Sequence, residues 1–326
     1  MRTKLLYILV STPADVYLEQ AYVSAASARR HNPGACLTLL TDAATEASLG
    51  SRGPQDAAFR ALFDEVVVAQ LDGALTPMQR SRLLKTGMRD YVKGDFLFID
   101  ADTVVAGPLD AIDQMEVPLA ACTDLHASSF ALHPHYTATV NMCRKLGFDA
   151  SACSLYFNSG VLLVKDTPAN HAFFQAWKEN YSKGFAAGIR PDQPSLAQTN
   201  AQMGNPVQQL PDAWNCQVQN GVRYLNEAHI IHYMVTNVAS GQEGVLYALN
   251  RKELLLEVRK EGLAPVQGIL DSPLLGYAPF VRVFAGEDLY FFQTRRYKWL
   301  RKKYRPGKFS FLEWLLKVKD HLFKRL

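Results

Sequence analysis

The chain's first candidates for chemistry are two carboxylates spaced two residues apart, where Phe96-Leu97-Phe98-Ile99 runs into Asp100-Ala101-Asp102. Charges at the mouth of a buried strand are unfavourable unless a cation compensates them. On a strand that continues, positions i and i+2 share a face, so both carboxylates converge on one ion. Oxygen donors of this kind suit Mg²⁺ or Mn²⁺, and such an ion bridges a diphosphate and neutralises it as it leaves. The plainer reading is two solvated aspartates at a strand end. This is the only D-x-D in the chain, and its place after an apolar strand is what gives it weight.

The surrounding pattern supplies elements to hold such a site. Apolar runs at 5–10, 36–40, 66–68 and 96–99 read as strands. The Ala-rich stretch 16–30 reads as a helix that stops before His31-Asn32-Pro33-Gly34, and 81–91 reads as a second helix. Alternation of this kind predicts a mostly parallel sheet covered on both faces, with ligands beyond the carboxyl ends of its strands. Further strands are expected at 119–122, 160–164 and 228–234, and a helix at 170–181; residues 235–290 give no clear pattern. Neither G-x-G-x-x-G nor a Walker loop occurs, so the usual dinucleotide and P-loop fingerprints are missing.

Composition narrows the class. With 326 residues, 48% of them hydrophobic, the chain is too apolar for disorder and long enough for a large core. Its five cysteines form no C-x-x-C pair and read as reduced thiols. No apolar run is long enough to span a membrane. The start Met1-Arg2-Thr3-Lys4 precedes too short an apolar core for a signal peptide, so a cytoplasmic protein is expected. The net charge of +4 conceals a basic end: residues 295–326 hold twelve Lys or Arg against Glu313 and Asp320.

In order along the chain, Asp100-Ala101-Asp102, Tyr156-Phe157-Asn158-Ser159-Gly160-Val161-Leu162-Leu163, Asp192-Gln193 and Ile230-Ile231-His232-Tyr233 resemble glycosyltransferase family 8. This family of retaining GT-A enzymes includes lipopolysaccharide galactosyl- and glucosyltransferases and glycogenin. The resemblance covers roughly residues 4–235. It implies a GT-A (nucleotide-diphospho-sugar transferase) fold, with a mixed, mostly parallel sheet flanked by helices. It also implies that Asp100, Asp102 and His232 hold the metal, and an imidazole among oxygens tilts that choice toward Mn²⁺ over Mg²⁺. For His232 taken alone, the plainer reading is a hydrogen-bonded histidine in a half-buried strand.

Other roles follow from the same resemblance. Ser11, Thr12 and Asp15 correspond to the pocket for the nucleotide base, although Asp15 also fits a helix start. Arg82 and Lys85, three apart on one helical face, would reach the nucleotide sugar; a solvated basic face is the alternative. Asp100, Ala101, Asn158 and Ser159 would line the donor, and Asp124 the sugar cleft. Asp192 and Gln193 would lie near the anomeric carbon. An amide is a poor nucleophile, so Gln193 would stabilise oxocarbenium charge while Asp192 holds sugar hydroxyls. Trp214, in Leu210-Pro211-Asp212-Ala213-Trp214-Asn215, would either stack on a sugar or sit in the core. The family's glycine, diphosphate-binding lysine and Pro-Trp after the histidine are absent from Tyr233-Met234-Val235-Thr236-Asn237-Val238. Lys85 or Arg82 is expected to take over the lysine's role.

The basic end interleaves Tyr297, Trp299 and Tyr304 with cations, and 309–326 reads as an amphipathic helix with an apolar stripe of Phe311, Trp314, Leu315, Val318 and Leu322. Such a tail suits an anionic membrane surface, with packing against the body as the alternative. No nucleic-acid-binding fold accompanies it, so no nucleic-acid partner is expected. The expected organisation is a catalytic domain over 1–290, with a nucleotide-sugar half at 1–110 and an acceptor half at 111–290, followed by a tail at 291–326. The expected activity is transfer of a hexose from a UDP-sugar, with Mn²⁺ or Mg²⁺, to a glycan or lipid-linked acceptor. A bacterial-type surface glycan such as lipopolysaccharide or capsule, built at the inner face of the plasma membrane, fits that expectation. A sugar-phosphate nucleotidyltransferase and a catalytically degenerate nucleotide-sugar binder are the alternatives.

Overall fold

The computed structural model describes residues 1–53, 55–218, 227–234 and 246–278. They fall within a unit spanning Met1–Val283, and a second unit, Phe284–Leu326, lies outside the described residues. The expectations for the basic tail, and for the chain from Val235 to Val238, therefore also lie outside them.

Among the described residues, ten strands make two sheets. They are β1 (Lys4–Leu9), β2 (Leu37–Asp42), β3 (Glu65–Ala69), β4 (Phe96–Ile99), β5 (Thr103–Val105), β6 (Leu119–Thr123), β7 (Phe157–Val164), β8 (Gln208–Gln209), β9 (Cys216–Gln217) and β10 (Ile230–His232). The seven-stranded sheet has the order β3-β2-β1-β4-β7-β6-β8, and a three-stranded sheet has the order β5-β10-β9. In the larger sheet only the two pairings of β7 are antiparallel, so the mixed, mostly parallel expectation holds. Strands β2, β4, β6 and β7 are buried along their whole length, as continuous apolar runs predict.

The helix Tyr17–His31 is buried continuously from Leu18 to Ala28. This is why it is rich in Ala and Ser: small side chains let a helix lie between two layers. Its serines act as dowels into β5. Ser24 Oγ bonds Thr103 Oγ1 at 2.6 Å, and Val105 N–H donates to Ser27 Oγ at 2.8 Å. The helix expected over 81–91 instead starts at Pro77 and breaks at Gly87, giving Pro77–Thr86 and Met88–Tyr91. Thr76 and Gln79 close a capping box at its start, a signal that lies upstream of the apolar periodicity.

Strands β1, β4 and β6 point the same way and β7 runs against them. The loops after β1, β4 and β6 therefore meet the first residues of β7 at one edge of the sheet. Asp100, Asp124 and Asn158–Gly160 all lie at that edge.

Candidate active site

Asp100 and Asp102 do not share a strand face. β4 ends at Ile99, residues 100–102 form a bend, and Thr103 opens β5. Asp100 N–H donates to Gly160 O at 2.8 Å, and Thr103 Oγ1 donates to Asp100 O at 2.8 Å. The bend aims both carboxylates inward, and Ala101 between them packs against the core. The third group arrives through strand register, since β10 pairs antiparallel with β5 and sets His232 opposite Thr103. His232 Nε2 lies 3.2 Å from Asp102 Oδ1, and one donor atom from each of Asp100, Asp102 and His232 lies within 4.8 Å of the others. Two carboxylates and an imidazole fit a divalent ion of the Mn²⁺ type.

The charges are arranged to match. Burial alone would lower the pKa of His232, but Asp102 and Asp100 raise it above its ordinary value. Burial alone would raise Asp102, and His232 instead holds it below. Asp100 is raised by burial despite its cationic neighbour Lys85. Lys85 Nζ sits 2.8 and 3.0 Å from the two Asp100 oxygens and 5.2 Å from the centre of the Phe98 ring. Its alternative as a solvated cation falls away, because its side chain is only 4% exposed.

Asp192 is the second anchor of this cationic helix. It occupies the N-cap of the helix Gln193–Gln202, yet its side chain makes no capping bond. It accepts from Ser159 Oγ at 2.7 Å and pairs with Arg82 at 3.2 Å and Lys85 at 3.7 Å. Burial alone would raise its pKa, but Arg82, Lys85 and Ser159 hold it far below the ordinary carboxylate range. Gln193 is half-buried and hydrogen-bonds Tyr156.

Asp124, at the end of β6, has both oxygens engaged. Asn158 Nδ2 donates to Oδ1 at 2.8 Å and His133 Nε2 meets Oδ2 at 2.8 Å. Asn158 Oδ1 accepts from Gly160 N–H at 2.8 Å and from Asn215 Nδ2 at 2.9 Å, and Asn215 Oδ1 lies 2.9 Å from His232 Nδ1. Sequence reasoning missed His133, Gly160 and Asn215 as parts of the site. A Cβ on Gly160 would stand 2.8 Å from His232 Nδ1 and 2.9 Å from Asn158 Oδ1. Only a residue without a side chain fits there. Trp214 stacks on His229 at 4.4 Å and is 2% exposed, which makes it a core aromatic closed to any sugar.

The turn after β1 is tied mainly to itself. Asp15 accepts from Ser11 Oγ (2.7 Å), Thr12 N–H (2.7 Å), Thr12 Oγ1 (2.8 Å) and Tyr17 N–H (3.1 Å). The helix Tyr17–His31 is capped by Val16 without a side-chain bond and its first-turn acid is Glu19, so Asp15 is neither the N-cap nor a first-turn acid but braces the turn just before the helix. Arg52 reaches Ser11 Oγ at 2.8 Å. From the helix Lys252–Glu261, Arg259 donates to Asp15 O and to Pro13 O (3.0 Å), and pairs with Glu19 at 2.6 Å.

No protein-family model matches this chain, and no curated protein matches it in sequence. Solved structures do. The apo form of the glycosyltransferase GlyE from Streptococcus pneumoniae TIGR4 matches with a TM-score of 0.50 at 16% identity, covering 84% of this chain and 64% of that one. An active-site mutant of LgtC matches with a TM-score of 0.51 at 14% identity, covering 79% and 95%. The fold is GT-A-like, shared with solved glycosyltransferases. This chain spans a little under two thirds of the GlyE structure.

Proposed function

We propose that this protein is a metal-dependent glycosyltransferase that moves a hexose from a nucleoside-diphosphate sugar, UDP-linked, to a glycan or lipid-linked acceptor with retention. The observation that carries the reading is the convergence of Asp100, Asp102 and His232 at the carboxyl-end edge of the sheet. GlyE, a glycosyltransferase of the same fold, supports it. Bound at these residues, Mn²⁺ or Mg²⁺ supplies Lewis-acid neutralisation of the leaving diphosphate.

The chain's own groups account for the rest. Lys85 and Arg82 bring cationic charge to the same edge, in the role that the lysine missing after His232 would have filled. Ser159, Arg82 and Lys85 hold Asp192 well below the ordinary carboxylate range, so near neutral pH it is ionised and offers acceptor oxygens to sugar hydroxyls. Gln193 follows it and can face developing positive charge with its amide oxygen. Asp124, gripped by Asn158 and His133, has little freedom to act as a mobile base and serves as a fixed acceptor at the sugar cleft. The turn Ser11–Thr12–Asp15 contributes to the base pocket. The basic tail, residues 295–326, attaches the enzyme to anionic membrane.

Calorimetry with Mn²⁺ and UDP tests the reading. Heat is expected with the native protein and none with Asp100→Asn combined with Asp102→Asn. No heat from the native protein, or equal heat from the double variant, rejects the reading. Incubation with nucleotide sugars separates the alternatives: free UDP marks the transferase, pyrophosphate a nucleotidyltransferase, and binding without turnover a degenerate binder.

A further inference from the structure

The hydrogen-bond chain behind His232 can be oriented atom by atom. Gly160 N–H can only donate, so the Asn158 atom it meets at 2.8 Å must be the carbonyl oxygen. The other end of that amide faces Asp124 Oδ1, an acceptor, which agrees. The Asn215 atom 2.9 Å from Asn158 Oδ1 must then be its NH₂, and its carbonyl oxygen must face His232 Nδ1. A carbonyl accepts only, so Nδ1 carries a proton. In the neutral ring this leaves the lone pair on Nε2, the nitrogen 3.2 Å from Asp102. The far end is pinned in the same way. His135 N–H donates to His133 Nδ1 at 3.1 Å, which makes His133 Nε2 the donor to Asp124.

We propose that Asn215 is a positioning residue: it fixes His232 in the Nδ1-protonated tautomer and orientation that present Nε2 to a divalent cation. The inference rests on the metal reading given above. Asn215 is fully buried and His232 nearly so, so water has little access to substitute for the amide. Gly160 closes one side of the ring at van der Waals range, which leaves the imidazole one seat. Outer partners of this kind set ligand tautomer, and their loss typically weakens metal binding about 10–100-fold.

The test uses the full chain with Mn²⁺ alone as the calorimetric probe, and ¹⁵N imidazole shifts of the metal-free protein at a pH where the ring is neutral. Asn215→Ala is expected to bind Mn²⁺ about 10–100-fold more weakly. The native protein is expected to show a protonated Nδ1 and an unprotonated Nε2 on His232, and the variant to lose that preference. A purely structural Asn215 would lower the unfolding temperature and leave both readouts unchanged. If the native protein binds Mn²⁺ and the variant matches it within about threefold, against the 10–100-fold expected, the inference is overturned while the metal reading stands. An Nε2-protonated His232 in the native protein overturns the inference even when Asn215→Ala cannot be folded. A native protein that gives no heat with Mn²⁺ removes the metal reading and this inference together.

Discussion

Gly160→Ala is a one-carbon perturbation whose consequence can be worked through. The added methyl would stand 2.8 Å from His232 Nδ1 and closer still to Cε1, with Asn158 Oδ1 at 2.9 Å. Ordinary contact for such atoms is about 3.5–4.0 Å, so the ring must retreat by about 1 Å. The retreat cannot be absorbed by Asn158, whose Oδ1 is held by Gly160 N–H and Asn215. Metal–ligand distances tolerate only about 0.2 Å, so His232 drops out as a ligand and Asp100 and Asp102 are left alone. Mn²⁺ affinity should fall by at least about 100-fold, since losing a ligand costs no less than the upper end of what losing its outer partner does. Overpacking should also destabilise the fold by about 1–3 kcal/mol. Calorimetry with Mn²⁺ and urea unfolding measure the two effects. Gly107→Ala is the control, because a Cβ there meets nothing within 4 Å. Native affinity and native stability in Gly160→Ala would refute the close-approach argument.

Three further outcomes are expected. Asp192→Asn strips Arg82 of its partner and should destabilise the protein by about 1–2 kcal/mol in urea, less than for a fully buried pair because Arg82 is 35% exposed and Lys85 keeps Asp100. Since Asp192 titrates far below its unfolded value, its contribution is complete above about pH 4 and disappears as pH falls further; the variant's stability should therefore change less below about pH 4. Mn²⁺ affinity should climb with pH by up to about tenfold per unit until the raised pKa of His232 is passed, because the ion must displace that proton. The same shift makes the metal-free protein lose stability as pH rises through that value, the opposite trend, so a flat profile in both measurements contradicts the assignment. Finally, deleting residues 295–326 should leave a folded protein that no longer pellets with anionic vesicles, and unchanged pelleting counts against the membrane role.

What could be read in the sequence depended on whether a residue's place was set by its neighbours or by distant chain. β1, β2, β4 and β6 were legible as apolar runs closed by turn residues. β5 was not, because three residues carry no period and its position depends on Ser24 and Ser27 from the first helix. The helix Gln193–Gln202 was missed because its buried face is built from Pro194, Ser195, Leu196, Ala197, Thr199 and Asn200, in which Leu196 alone is large and apolar, too little for a stripe. The acids and His232 were legible as residues, but the reason for their convergence was not. A bend and a strand register bring them together, where alternation along one strand was expected. Asn215 and His133 gave no signal, since an amide or imidazole satisfied by tertiary contacts looks in sequence like any surface polar residue.

The clasp made by Arg259 joins the loop after the first strand to a helix 246 positions further along the chain. A growing polypeptide therefore finishes both sheets before the part that secures its earliest turn has been synthesised. Any product terminated ahead of that helix would retain every described strand yet leave Pro13 and Asp15 unfastened and strip Leu255, Val258, Val266, Ile269, Leu270 and Tyr277 from the main core, so the last described stretch of chain completes the packing begun by the first.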